Sequence, residues 1–182
     1  LILNSCEGKK IFFFFFTSEC MDAIIFCGGL GTRIRTVTED SIPKAMIKIQ
    51  GKTILEWELT WLRKYGIENV ILAVRHLADY IEENIGTEYE TDYGMVQIIY
   101  SREPEKLGSG GAIKFAQTHV KSENFLIMNG DIMTNFPLDK MIEDYKTKGK
   151  DGSIGVSKMR SPYGIVEFDE ENLIHQFREK PL

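Results

Sequence analysis

The 182-residue sequence predicts an α/β fold on a mixed, mainly parallel sheet. Three observations predict it. Short continuous apolar runs, of which Ala23 to Cys27 is the first, read as strands buried on both faces. Segments with helical spacing alternate with these runs, as βαβ units require. A Gly-rich loop directly follows the first run, and ligands of open α/β sheets bind beyond the carboxyl ends of the strands.

Each element has its own signal. Ala45 to Ile49 reads as a short strand ended by Gln50-Gly51. Thr53 has the character of an N-cap, with Glu56 at capping-box spacing. Ile54, Trp57, Trp61, Leu62 and Tyr65 then recur at helical spacing, and Gly66 closes that helix. The spacing makes Trp57 and Trp61 core residues rather than a stacking platform. Asn69 to Val74 is a second buried strand, Leu77 to Ile85 a helix and Met95 to Tyr100 a strand. Ser109 to Val120 reads as a helix, and Phe125 to Met128 as a strand ending in Asn129-Gly130-Asp131. Leu138 to Lys146 is a further helix. Ser153 to Lys158, Ile165 to Phe168 and Leu173 to Phe177 read as strands without helices between them, so the sheet is expected to become mixed there.

Composition excludes several classes. The chain is 43% hydrophobic with a net charge of −5, which is too apolar and too weakly charged for disorder. Three Cys cannot make a disulfide scaffold. The acidic balance argues against nucleic acid as a partner, and the apolar runs are too short to span a membrane. Residues 1–20 differ in character from the rest of the chain. They hold Cys6, Cys20 and the run Phe12 to Phe16, and they read as a non-native or disordered leader before a domain over 21–182. Within that domain Cys27 stands alone, which suits a reducing, cytoplasmic compartment. His76, His119 and His175 are scattered and make no zinc spacing.

The loop Cys27-Gly28-Gly29-Leu30-Gly31-Thr32-Arg33-Ile34-Arg35 is the most informative segment. Closely spaced Gly let the backbone approach an anion and aim N–H groups at it. Arg33, Arg35, Lys44 and Lys48 make the region locally basic in an acidic protein. The plain alternative is a tight turn with surface Arg. A dinucleotide fingerprint fails because Ile34 stands at its third Gly, and no Walker A spacing occurs. Asp131 on its own reads equally as a turn residue after Gly130, and Arg178-Glu179-Lys180 as a solvated charge run.

Gly28 to Arg35, then Thr38, then Pro43-Lys44, resembles the signature of the sugar-1-phosphate nucleotidyltransferases. Gly51-Lys52-Thr53-Ile54-Leu55, Leu107-Gly108-Ser109-Gly110-Gly111-Ala112, Gly130-Asp131, Tyr163-Gly164 and Glu179-Lys180-Pro181 are similar to further motifs of that family, in its order. The resemblance covers Met21 to Leu182. It looks most like the branch of mannose-1-phosphate guanylyltransferases and glucose-1-phosphate nucleotidyltransferases, and its look leans to GTP and mannose 1-phosphate. It implies a three-layer, Rossmann-like nucleotide-diphospho-sugar transferase fold. It also implies Mg²⁺-dependent reaction of an NTP with a sugar 1-phosphate, giving NDP-sugar and pyrophosphate.

By the same resemblance, Gly28, Gly29, Leu30, Gly31 and Thr32 would wrap the nucleotide phosphates. Arg33 would hold the leaving pyrophosphate and Lys44 would neutralise charge near the reacting centre. Asp131 would be a Mg²⁺ ligand. Gly108 falls in the base-reading region, Gly164 and Glu179 on the sugar, and Lys180 on the sugar's phosphate. Cys27 stands where the family has Ala and reads as packing; Thr36 and Ala45 replace Pro, and Gly110 replaces Ala. The rival readings are a non-catalytic nucleotide-sugar-binding or regulatory subunit, and an inactive truncated remnant. Survival of Arg33, Lys44, Asp131 and Lys180 favours the enzyme over a sensor. A homo-oligomer is compatible with all of them.

The family brings a second metal-binding Asp from beyond its Glu-Lys-Pro motif, and this sequence stops at Leu182. The expected outcome is little or no turnover by the 182-residue chain. A pyrophosphate-release assay on the purified chain checks this, and family-like turnover would contradict it.

Overall fold

The computed structural model describes residues 21–29, 41–149, 151–156 and 165–178. Strand β1, Asp22–Phe26, occupies an inner position in a five-stranded sheet. Strands β2, Lys48–Ile49, and β3, Lys52–Thr53, form a small hairpin apart from it. The large sheet continues with β4 (Asn69–Val74), β5 (Glu88–Thr91), β6 (Gly94–Arg102) and β7 (Phe125–Asn129). Its order is β5-β6-β4-β1-β7. Pairings β1–β4, β1–β7 and β4–β6 are parallel, and β5–β6 is antiparallel. The sheet is therefore mixed and mainly parallel, as expected, but the antiparallel strand lies at the β5 edge. Strands β8 (Ile165–Phe168) and β9 (Ile174–Arg178) pair with each other in a separate two-stranded sheet.

Helix α1, Ile54–Lys64, begins with the capping box that the sequence announces. Thr53 N–H donates to Glu56 Oε2 at 2.5 Å, and Glu56 N–H donates to Thr53 Oγ1 at 3.1 Å. It ends in a Schellman motif: Gly66, at φ +84°, donates to Arg63 O and Ile67 donates to Leu62 O. Gln50 and Gly51 both have positive φ, as the two-residue β2–β3 turn requires. The residues before it differ from expectation. Lys44–Met46 form a 3₁₀ turn in place of a strand, with Met46 N–H bonded to Pro43 O. Pro43 presets that turn and leaves only two residues to pair.

Helices α2 (Ala78–Ile85) and α3 (Gly108–Ala116) follow β4 and β6, and α4 (Leu138–Lys148) follows β7. Strand β5 escaped the sequence reading because Glu88-Tyr89-Glu90-Thr91 is charged, as edge strands tend to be. Residues Ser153 to Val156 form no strand; the rest of that expected element lies outside the described residues.

The core sits between the sheet and its helices. Ile24, Ile71 and Ala73 pack with Ala116 of α3, and Phe26, Ile99 and Ile113 close around them. Side chains alternate along a strand, so Ile25 and Cys27 point to the opposite face, where both are buried. The described residues fall into two compact units, one ending at Phe136 and one beginning at Pro137. Among the described residues, no helix is long and apolar enough to cross a membrane.

Asp22 fastens the amino end of the sheet. It is buried, and its carboxylate accepts from Lys121 N–H at 2.6 Å, Ser122 N–H at 3.1 Å and Asn69 Nδ2 at 3.2 Å. Its own N–H donates to Ser122 Oγ at 2.9 Å. Asp22→Ala leaves three donors without their acceptor. The expected loss is on the order of 3 kcal/mol. Thr53→Ala, which removes only a cap, is expected to cost about 1 kcal/mol. Urea unfolding midpoints of the two variants check the difference.

Candidate functional site

Three carboxyl ends define the site. Where β1 stops, Cys27 N–H donates to Ala73 O at 2.8 Å, extending the pairing with β4 by one residue. Gly28 then passes close to Arg75: a Cβ there would lie 3.4 Å from the Arg75 backbone nitrogen. Gly29 is exposed, and none of the described residues lies near its open side. On the other flank β7 ends at Asn129, and Gly130 N–H donates to Phe26 O at 3.0 Å. Residue 130 has no room for a side chain, since a Cβ would meet Cys27 Sγ at 2.7 Å and Phe26 O at 2.9 Å. The chain therefore needs Gly there before it can present Asp131.

Lys44 and Asp131 meet although 87 residues separate them in sequence: Lys44 Nζ stands 3.5 Å from Asp131 Oδ2. Both are partly exposed, so the pair adds little to stability. What it does is bring a cation and a carboxylate together next to Gly130, whose N–H is bonded to Phe26 O two residues before Gly28. Gly108, at φ +69°, opens α3, and none of the described residues lies within 4 Å of where its Cβ would be. Leu30, Gly31, Thr32, Arg33, Gly164, Glu179 and Lys180 lie outside the described residues.

Sequence reasoning overlooked Glu58. It is only 2% exposed, on the inner face of α1. Its Oε1 accepts from Ile132 N–H at 3.2 Å, and its Oε2 has no hydrogen-bond partner among the described residues. Burial pushes its carboxyl up to about 8; the Ile132 hydrogen bond opposes that rise and the charge of Asp131 adds to it. A signal was present: Ile54, Leu55, Glu58, Leu59 and Leu62 share one helical face, and an acid in that row has to be buried. Burial likewise raises the Cys27 thiol, with help from the charges of Glu58 and Asp131. Such a thiol stays protonated and unreactive, so its role is packing.

Trp57 and Trp61 depart from expectation. Both are half-buried, and with Tyr65, Tyr93 and Met133 they line a cleft of about 220 Å³. Trp57 Nε1 donates to Ile49 O at 2.9 Å, and Lys52 Nζ lies 5.3 Å from its ring centroid.

The sequence profile of the Nucleotidyl transferase family matches residues 22–182. The chain belongs to that family. D-glycero-alpha-D-manno-heptose 1-phosphate guanylyltransferase of Campylobacter jejuni is 38% identical over 162 residues, 88% of this chain and 69% of that protein. Mannose-1-phosphate guanylyltransferase catalytic subunit beta of Drosophila pseudoobscura is 36% identical over 163 residues, 87% of this chain. The match covers 43% of that relative, so the chain spans under half its length. Two crystal structures of HddC from Yersinia pseudotuberculosis, one complexed with GMP-PN, match at a TM-score of 0.63 and 30% identity. They cover 89% of this chain and 70% of theirs. The family is enzymatic, as the names of these nucleotidyl transferases state.

A carboxyl whose folded value lies above its ordinary 4.5 gives stability that is complete below 4.5 and lost as pH rises toward about 8. Glu58 is such a group. The wild-type melting temperature is expected to fall between pH 5 and pH 8, and Glu58→Gln is expected to flatten that fall. Melting curves at pH 5, 6, 7 and 8 check this, and parallel curves for the two proteins would contradict it.

Proposed function

We propose that this chain carries the nucleotide site of a sugar-1-phosphate guanylyltransferase. The observation that carries the reading is the meeting of Lys44 with Asp131 just past the carboxyl end of β7, whose paired strand β1 runs on into Gly28 and Gly29. A triphosphate needs backbone donors, a mobile cation and a carboxylate for its metal, and these are the groups at hand. Guanine is favoured because the relatives are named guanylyltransferases and HddC is complexed with GMP-PN. A manno-configured sugar 1-phosphate is favoured because mannose and manno-heptose appear in those names.

In this reading an oxygen of the sugar phosphate attacks the α-phosphorus in line. The bond from that phosphorus to the bridging oxygen breaks, and pyrophosphate leaves with the electron pair. Such a reaction needs positioning and offset charge more than covalent help. Gly28 to Thr32 cradle the phosphates, Arg33 holds the leaving pyrophosphate with its planar donor fork, and Lys44 offsets charge at the reacting phosphorus. Gly108 leaves space for the base. Gly164 and Glu179 serve the sugar, and Lys180 its phosphate.

Mg²⁺ fits the donor set. A single partly exposed carboxylate, Asp131, suits an ion that takes one or two carboxylates and completes its shell with substrate phosphates and water. Bound there, it would lower the charge on the phosphates. Lys44 and Asp131 side by side favour the enzyme over a sensor, since a sensor has no use for a metal carboxylate.

A melting panel of four NTPs with Mg²⁺ tests the reading. GTP is expected to give the largest shift, about 2.7 kcal/mol at a hundredfold excess over its dissociation constant. Lys44→Ala is expected to weaken GTP about tenfold, the loss of one charge-assisted contact. No shift with any NTP would overturn the nucleotide site.

A further inference from the structure

Glu58 stands apart from the groups that serve phosphate, base and sugar. It is a carboxyl at 2% exposure, and it sits one peptide from Asp131. Its position is costly. Oε2 has no partner among the described residues, and a second carboxylate lies nearby. For packing alone, an apolar side chain in the row of Ile54, Leu55, Leu59 and Leu62 would serve better.

The geometry points to what it does there. Asp131 lies between two tethered peptides. On one side Gly130 N–H is bonded to Phe26 O at 3.0 Å, which ties the segment to β1. On the other, Ile132 N–H is bonded to Glu58 Oε1 at 3.2 Å, which ties it to α1. The Asn129–Gly130 peptide and the Asp131–Ile132 peptide are therefore both held, and only the backbone torsions of Gly130 and Asp131 lie between the two tethers. Lys44 Nζ then meets it at 3.5 Å.

We propose that Glu58 is a positioning residue: through Ile132 N–H it fixes the strand-end segment so that Asp131 faces the phosphate and cation site. This rests on the reading of Asp131 as the metal carboxylate. The effect runs through the backbone of residue 132, so what matters is an oxygen of the right reach, whatever its charge. Gln supplies that oxygen; Asp is one carbon too short; Ala has none.

Four variants of the full chain separate the possibilities: Glu58→Gln, Glu58→Asp, Glu58→Ala and Asp131→Ala. Two readouts are taken, amide hydrogen exchange at Ile132 and affinity for Mn²⁺ in the presence of GTP by electron paramagnetic resonance. Ile132 exchange is expected to quicken about tenfold in the Asp and Ala variants and to hold within about twofold in the Gln variant. Mn²⁺ affinity is expected to follow the same order. Glu58→Asp keeps a buried carboxyl, so the Asp–Gln comparison stands even if Glu58→Ala fails to fold. Unchanged Ile132 exchange in Glu58→Asp would overturn the tether. So would Mn²⁺ loss in Glu58→Gln as large as in Glu58→Ala, because that marks Glu58 as a ligand. Asp131→Ala with undiminished Mn²⁺ affinity would instead remove the metal role of Asp131, while the exchange data still decide the tether.

Discussion

The site depends on one steric constraint, the closeness of β1 and β7 at their carboxyl ends. Their register runs from Asp22↔Phe125 to Phe26↔Asn129, and the Gly130 N–H bond to Phe26 O carries it one step further. Cys27 Sγ fills the space a side chain at 130 would need. Any residue but Gly would push the strands apart where Asp131 has to emerge. The Asp22 cluster sets the other end of the same strands, so β1 is held at both termini. Gly28 and Gly29 follow one end of this strand and Asp131 follows the same end of its neighbour.

Much of this was legible in the sequence where a local rule sufficed. The capping box of Thr53 and Glu56, the Schellman Gly66, and the buried strands Asp22–Phe26 and Asn69–Val74 are all matters of short-range chemistry. Elements governed by context were less legible. Glu88–Thr91 pairs because β6 offers it an edge, not because its own residues favour a strand. Lys44–Met46 turns because Pro43 bends the backbone. Trp57 and Trp61 keep helical spacing but line a cleft, since the packing surface of α1 is the row of Ile54, Leu55, Leu59 and Leu62. In the site, Lys44 and Asp131 were legible through resemblance, and their contact needed the fold. Glu58 was missed because family motifs do not include it, although its place in an apolar row was visible.

Charge is arranged unevenly around this site. Two acids, Glu58 and Asp131, flank one segment of backbone in a protein of net charge −5. They differ in environment. Asp131 is partly exposed and has Lys44 beside it, whereas Glu58 is buried and forms no ion pair among the described residues. Burial favours the neutral form of Glu58, which spares Asp131 a second full negative charge at close range. The two carboxyls thus differ in environment, one partly exposed beside a cation and the other buried and bonded to backbone.

The Asp22 cluster has a bearing on how the protein comes together. Its bonds to Lys121 and Ser122 join positions 99 and 100 residues apart, whereas β8 and β9 meet across a short turn. Long loops close slowly and local pairs form early. Strand β7 can dock on β1 only after β4, β5 and β6 have been made and traversed by the chain. A nascent chain released before Asn129 has the first Gly pair but nowhere to seat Asp131. Opening of β7 alone would part Lys44 from Asp131 while β4, β5 and β6 stayed paired, so that contact rests on the strand of the sheet that comes last in the chain.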